Sequence, residues 1–283
     1  MTLFAQSSAT ILAILIAMAI VAWVETIIPL HLGERSSRAH VRVNLALTII
    51  AFATNLLLNV GLVAALMLLA RSGLGVFNVF PQHAAVELTA VLLGLDLAFY
   101  VAHVAMHKIP ALWNYHLVHH SDSVVDVTTT IRQHPGESVI RYTFMAAFAF
   151  GLGASPAAFA VYRAWSAVTG LLEHANIRLP LWLDDVIALV ATSPNMHKVH
   201  HSRAAEETDT NYGNVFSIWD QVFRTFTPAS RGTDIRYGLD GFDDPGTQTV
   251  SALLALPLRA RPSEPVYTNP SATLSSKTPA SRM

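Results

Sequence analysis

The stretch DLAFYVAHVAMH, residues 96–107, ends a long apolar segment with an acid, a tyrosine and two histidines. Four of its polar side chains recur at steps of four, three and four residues, which places them on one face of an α-helix: Asp96, Tyr100, His103 and His107. Ionisable residues inside a membrane-length helix are costly, and they default to functional candidates. The segment therefore predicts a spanning helix that carries part of a site at its end.

Three apolar segments are long enough to cross a bilayer, which takes about 20 apolar residues. They cover residues 11–30, 43–70 and 84–104. Charged residues make up only 13% of the 283 residues and mean hydropathy is +0.42, whereas a soluble domain carries roughly 25% charged residues. A signal peptide is the alternative for the first segment, but no Lys or Arg precedes Arg35 to form its basic end. The sequence predicts an all-α, polytopic membrane protein with about three transmembrane helices.

A fourth apolar region, residues 139–172, is interrupted by GLGASP at 151–156. Its arms, residues 139–152 and 156–172, would be roughly 21–26 Å long as helices, against a hydrocarbon core of about 30 Å. We expect a helical hairpin that dips into the membrane and returns; the alternative is one long kinked helix. The hairpin would bring His174 back to the side from which the chain entered.

Arginines after the first segment set the expected orientation, since cytoplasmic loops are enriched in Lys and Arg. Arg35, Arg38 and Arg42 lie there, and the N-terminus has none. We expect an N-terminus outside the cytoplasm and a cytoplasmic helical cap, formed by the polar residues 106–138 and 173–250. Residues 1–250 would form one membrane-embedded catalytic domain, with its histidine motifs within 96–226, followed by a disordered tail at 251–283.

Histidine is concentrated in two identical motifs. HLVHH at 116–120 and HKVHH at 197–201 both place imidazoles at positions i, i+3 and i+4, on one helical face. Ser193 would cap the second helix, with Pro194 in its first turn. Repeated triplets of this kind are expected to hold metal, because clustered imidazoles repel one another when protonated and gain little from packing.

The candidate ligands form a set of nine, which is too many for one ion and suits two. We expect metal ligation by His103, His107, His116, His119, His120, His174, His197, His200 and His201. For His134 three alternatives stay open: a ligand, an outer partner of a ligand, or a loop histidine packed near Pro135. His31, His40 and His83 lie in other loops and are expected to take no part. The chain has no cysteine, which excludes thiolate metal sites, and its net charge of −1 shows no basic footprint for nucleic acid. Imidazole suits Zn, Cu, Fe and Ni alike, so spacing alone does not choose the metal.

In their order, these motifs resemble the fatty acid hydroxylase superfamily of integral-membrane di-iron enzymes, and in particular its sterol desaturase branch. The resemblance covers about residues 90–226 and rests on the following elements: HVAMH at 103–107, HLVHH at 116–120, RQHPGE at 132–137, HAN at 174–176, HKVHH at 197–201, DTNYG at 209–213 and WD at 219–220. Two positions depart from the family pattern. Val104 stands where an arginine is common, and Arg224 interrupts a Phe-Gly-Thr motif. Neither change removes a candidate ligand.

The resemblance implies a di-iron centre, with two iron ions (Fe2+/Fe3+), that uses dioxygen to hydroxylate or desaturate a C–H bond of a lipid. The catalytic group is then the di-iron centre itself, and electrons come from a separate reductase, ferredoxin or cytochrome. Candidates for orienting the ligand imidazoles through their other ring nitrogen are Asp96, His134, Glu137, Glu173 and Asn211. The alternative from another class is a metal-ion transporter or a metal-binding membrane protein, but transporters bind near the bilayer midplane and these histidines lie in the polar cap.

Overall fold

The computed structural model describes residues 3–31, 37–228 and 235–259, and these residues form helices and turns with three isolated backbone bridges and no strand. The all-α prediction therefore holds for the described residues. The helices are α1 Leu3–Ile27, α2 Arg38–Ser72, α3 Val76–Val79, α4 Ala84–Lys108, α5 Pro110–His120, α6 Pro135–Leu152, α7 Pro156–His174, α8 Leu181–Ala188, α9 Pro194–His200, α10 Ala205–Thr208, α11 Ile218–Phe223 and α12 Val250–Ala255. Short 3-10 helices lie at Val127–Ile131 and Leu256–Leu258.

Two helical segments among the described residues are long and apolar enough to cross a membrane: Arg38–Val79, which includes α2 and α3, and Ala84–Lys108, which is α4. They correspond to the second and third predicted spans. The first predicted span lies in α1, whose apolar part Ile11–Ile27 is shorter. Large apolar side chains point outward along these helices, with Leu57 75% and Ile49 70% exposed, as expected for surfaces that face lipid.

Helices α6 and α7 are separate helices joined by a short turn, not one kinked helix. Gly153 ends α6 in the left-handed conformation, at φ 69°, and the Ser155 side chain caps α7. The two arms are 18 and 19 residues long, so each extends about 27 Å, longer than the sequence suggested. The turn reaches the beginning of α4, where the Ser155 N–H donates to Glu87 at 3.1 Å. The turn of the hairpin therefore lies level with the N-terminal end of α4.

The main apolar core lies where α2, α4, α6 and α7 meet. Its fully buried members include Leu66, Leu95, Met145 and Phe159. Helix α4 packs against both arms of the hairpin, α6 and α7, and carries histidines at its C-terminal end. This arrangement leaves the space between the two arms for a cavity, which is described below.

The C-terminal part of the chain differs from the expectation of a disordered tail from residue 251. Val250–Ala255 is helical, and its buried Leu253 belongs to a small apolar cluster with Leu47 and Val118. The segment is too short to show a helical period in the sequence, and its order comes from this tertiary contact. Residues 260–283 lie outside the described residues.

Candidate metal centre

Nine buried imidazoles converge in two groups, in each of which the ligand atoms lie within 4.8 Å of one another. The five-histidine group consists of His103, His107, His116, His120 and His200. The four-histidine group consists of His119, His174, His197 and His201. These are the nine residues singled out by the sequence, and His31, His40, His83 and His134 belong to neither group.

Four helices deliver these side chains. Helix α4 contributes only to the five-histidine group and α7 only to the four-histidine group. Each histidine triplet contributes to both groups. In α5, His119 belongs to the four-histidine group and His120 to the five-histidine group. At the end of α9, His201 belongs to the four-histidine group and His200 to the five-histidine group. Neighbouring residues on a helix point about 100° apart, so each triplet can reach two centres.

The second triplet is held as its sequence predicts. Pro194 opens α9, and the Ser193 side chain accepts the Met196 N–H at 3.4 Å. Ser193 also donates to the buried Asp184 at 2.7 Å, and Asp184 accepts the Asn195 N–H. The start of α9 is therefore fixed to α8, which limits rotation of the histidines that follow.

The contacts of His174 show why these groups fit metal ions. Its Nδ1 lies 2.8 Å from the Gly170 carbonyl, which can only accept a hydrogen bond, so Nδ1 carries the proton and Nε2 carries the lone pair. That Nε2 lies 3.1–3.2 Å from Nε2 of three other imidazoles, His119, His197 and His201. One lone pair cannot satisfy three such neighbours as hydrogen bonds. A cation at the centre would accept all four nitrogens.

Burial also keeps the imidazoles of α5 and α9 uncharged. It lowers the pKa of His116, His119 and His120 well below the usual value, and the neighbouring histidines lower it further. The pKa of His200 falls to about 4 for the same main reason, burial. Neutral imidazole is the form that binds a metal, so this donor set suits a first-row transition metal.

Backbone carbonyls fix the tautomer and direction of two rings in the five-histidine group. His103 Nδ1 donates to the Tyr212 carbonyl at 2.8 Å, and His200 Nδ1 donates to the Thr210 carbonyl at 2.7 Å. Both contacts leave Nε2 facing the group. Outer hydrogen bonds of this kind are a general feature of metal-binding histidines.

Carboxylates stand behind other rings. Glu137 Oε1 lies 3.1 Å from His116 Nδ1, and Asp209 Oδ1 lies 3.4 Å from His107 Nδ1. Glu173 Oε1 lies 3.7 Å from His174 Nδ1. Glu137 was expected from the sequence in this role, whereas Asp209 was not selected. Glu173 was also expected, but it lies too far from His174 Nδ1 for a hydrogen bond, and that nitrogen donates to the Gly170 carbonyl instead.

The three remaining candidates, Asp96, His134 and Asn211, make their hydrogen bonds to groups other than the converging imidazoles. Asp96 accepts the backbone N–H groups of Val215 and Phe216, both at 3.1 Å, together with the indole N–H of Trp219 at 3.0 Å. It thus connects α4 to the loop after Tyr212. His134 accepts the Gly136 N–H at 2.9 Å and caps α6.

Asn211 supports the backbone next to the five-histidine group. Its amide donates to the Met196 carbonyl at 2.9 Å, and its carbonyl oxygen accepts the Thr227 N–H at 2.8 Å. It adopts the left-handed conformation at φ 56°, which asparagine tolerates better than most residues. Asn211 therefore supports the backbone conformation that leads into Tyr212 and makes its hydrogen bonds to the backbone, not to an imidazole.

A buried polar network supports α5 from behind. Asp122 accepts from His40 Nε2 at 2.7 Å and from Thr129 at 2.8 Å, and with Arg132 nearby these partners lower its pKa to about 2 despite its burial. Arg132 donates to the Val118 carbonyl at 3.0 Å and to Asn44 at 2.8 Å. His40 thus has a structural partner that the sequence did not reveal.

A cavity of about 530 Å³ extends from the histidines between α6 and α7 toward α1 and α2. Histidines of both groups line it: His103, His119, His174 and His197. Much of the remaining wall is apolar, with Phe52 on α2 and Met145 on α6 among its residues. The arrangement can hold a long apolar molecule with one part beside both imidazole groups.

Residues 88–225 match the fatty acid hydroxylase family. The ornithine lipid hydroxylase OlsE of Rhizobium tropici is 33% identical over 154 residues, which cover 53% of this chain and 46% of that protein. The alkylglycerol monooxygenase of Caenorhabditis elegans is 31% identical over 146 residues, 51% of this chain and 28% of its own length. That of Danio rerio is 29% identical over 163 residues, 58% of this chain and 35% of its own length.

The matches thus span less than half the length of each of these relatives, and no solved structure matches the chain. The matched region, residues 88–225, includes all nine converging histidines. Through this region, the chain belongs to the fatty acid hydroxylase superfamily.

Proposed function

We propose that this chain is a membrane-bound oxygenase that holds two iron ions and uses dioxygen to hydroxylate a C–H bond of a lipid. The observation that carries the proposal is that two groups of buried imidazoles border one largely apolar cavity between membrane-length helices. The matched relatives are named hydroxylases and monooxygenases, which favours hydroxylation over desaturation.

The ligands of the proposed centre are the five- and four-histidine groups. Bound iron would supply the activation of dioxygen that an unactivated C–H bond requires. The protein supplies position and environment. The apolar wall excludes water from the substrate chain, and the cavity holds one carbon of that chain beside His103 and His174.

The outer partners hold the imidazoles in place throughout the reaction. Carbonyls at Gly170, Thr210 and Tyr212 keep three Nδ1 protons on the side away from the centre. Such fixed rings favour a resident metal over transported cargo, which must be released. We therefore prefer an oxygenase to the metal-transporter alternative. Electrons would come from a separate reductase, ferredoxin or cytochrome.

The test is lipid oxidation by the purified, iron-loaded protein with a chemical reductant, a total lipid extract and isotopically labelled dioxygen. We expect one labelled oxygen atom in a lipid product, measured by mass spectrometry. His197→Ala should abolish product, whereas His83→Ala, at an exposed helix cap outside both groups, should retain it. A product that lacks two hydrogens and contains no label would mean desaturation. Metal uptake into liposomes without any lipid oxidation would support the transporter.

A further inference from the structure

Two arginines line the otherwise largely apolar cavity. Arg141 enters it from α6 and Arg163 from α7. Charged groups between membrane-length helices are expensive unless they meet a partner, and they mark substrate or ion sites more often than not. The oxygenase chemistry described above does not require either arginine.

Arg141 is held in a fixed position. Its Nη2 forms an ion pair with Glu137 Oε1 at 2.6 Å, and its guanidinium lies 4.6 Å from the centroid of the Phe99 ring. Its Nε is buried and has no hydrogen-bond partner among the described residues. Glu137 thus balances the charge of Arg141 on one side, and the guanidinium keeps donor capacity on another.

The charge of Arg163 is not balanced by a nearby carboxylate of the described residues, as that of Arg141 is by Glu137. Its guanidinium lies 5.2 Å from the centroid of the Tyr142 ring, and within the described residues no carboxylate comes within 4.0 Å of it. Glu173, the acidic residue in the cavity wall, lies beside His174 and His197 instead. The cavity therefore contains an excess of positive charge at Arg163.

We propose that Arg163, assisted by Arg141, binds an anionic oxygen group of the lipid substrate, a carboxylate or a phosphate. The inference rests on the proposed function, because it assigns the class of substrate at the same site. The planar fork of a guanidinium matches both anions in a bidentate manner, and stacking on an aromatic face leaves its N–H edge free to donate. The apolar wall around Phe52 and Met145 would hold the chain.

The competing explanation is that Arg163, which is only half-buried, extends its charged end toward water and binds nothing. The two explanations differ in what removal of the charge does. A solvated arginine can be replaced without effect on lipid selectivity. An arginine that binds the head group cannot be replaced in this way.

The experiment compares three lipids with the same chain and different head groups: palmitate, palmitoyl lysophosphatidate and uncharged hexadecanol. Binding to the purified, metal-loaded protein in detergent is measured by fluorescence competition, and turnover is measured in parallel. The variants are Arg163→Gln and Arg163→Lys. Arg178→Gln serves as a matched control, because Arg178 is exposed and lies outside the cavity wall.

We expect the wild type to prefer one or both anionic lipids over hexadecanol. Arg163→Gln should weaken binding of the preferred anion roughly 10- to 100-fold and leave hexadecanol unchanged. Arg163→Lys should lie between, and Arg178→Gln should match the wild type. The anionic lipid that binds more tightly shows whether Arg163 recognises a carboxylate or a phosphate.

Equal binding of charged and uncharged lipids by the wild type, or unchanged selectivity in Arg163→Gln, would overturn the proposal. A variant that fails to fold would be revealed by loss of hexadecanol binding, and Arg163→Lys then decides by its selectivity. Anion-selective binding without oxidation of any lipid would leave this proposal intact and reject the proposed function. Oxidation of all three lipids without selectivity would support the proposed function and reject the proposal that Arg163 binds an anionic group.

Discussion

At the scale of single residues, Glu137 has a role that can be separated from metal ligation. Its carboxylate lies between His116 Nδ1 and Arg141, and the side chain is completely buried. We expect Glu137→Gln to keep the shape of the site but lose the charge that orients His116. Loss of such an outer partner generally costs about 10–100-fold in metal affinity or activity.

Iron affinity can be measured by competition with a chelator. Glu206→Gln is the matched control, since Glu206 is exposed in α10. Wild-type affinity in Glu137→Gln would show that the carboxylate does not orient the ring. Loss of hexadecanol binding as well as metal would show instead that the change disturbs the fold.

At the scale of helices, the network behind α5 predicts a stability effect for a histidine outside the metal groups. His40, 13% exposed in α2, pairs with Asp122 just after the end of α5. We expect His40→Ala to lower the free energy of unfolding by about 1–3 kcal/mol, because it leaves a buried carboxylate without one of its donors.

His83→Ala changes an exposed helix cap and provides the comparison, with an expected loss of at most about 1 kcal/mol. Unfolding in detergent, followed by circular dichroism, measures both. Iron per folded chain should remain at the wild-type value in both variants. An unaffected stability in His40→Ala would mean that the pair with Asp122 contributes little.

The helices and the grouping of the histidines differ in how far sequence could predict them. Residues three and four apart share a helical face, so the spacing selected eight of the nine converging imidazoles, and the expected return of the hairpin added His174. It could not show the carbonyls of Gly170, Thr210 and Tyr212 behind them, because every residue has a carbonyl. Asp96 shares a face with His103, yet its partners come from a loop about 120 residues later, which only the folded chain brings near.

At the scale of the whole molecule, the two imidazole groups are expected to load metal together. Both triplets serve both groups, so ordering one group positions ligands of the other. We expect removal of metal and stepwise reloading to give chains with none or two ions and few with one. Coupling between sites typically changes affinity by roughly 5–150-fold.

Native mass spectrometry measures this distribution. His174→Ala removes the imidazole at the centre of the four-histidine group and leaves all five ligands of the other. We expect its iron content to fall below one ion per chain. A stable value of one ion would show that the groups bind independently, and two ions would argue against His174 as a ligand.

The absence of cysteine from the sequence allows a clean test of orientation. Gln82 lies before α4, at the end away from the histidines, and Asp244 lies on the histidine side; both are exposed. If the cap is cytoplasmic, an impermeant maleimide should label Gln82→Cys in intact cells and Asp244→Cys only after permeabilisation. The reverse pattern would invert the orientation.

The sharing of each triplet between two groups also limits which changes of chain length the molecule can tolerate. One residue inserted between His116 and His119 would rotate the histidines on either side by about 100° relative to each other, so one insertion would damage both groups together. Connectors have no such restriction where they are exposed, as at Arg178 and Pro180 or around Asp244. Among homologues of this chain, insertions and deletions should therefore occur in those connectors and be absent from both five-residue histidine motifs.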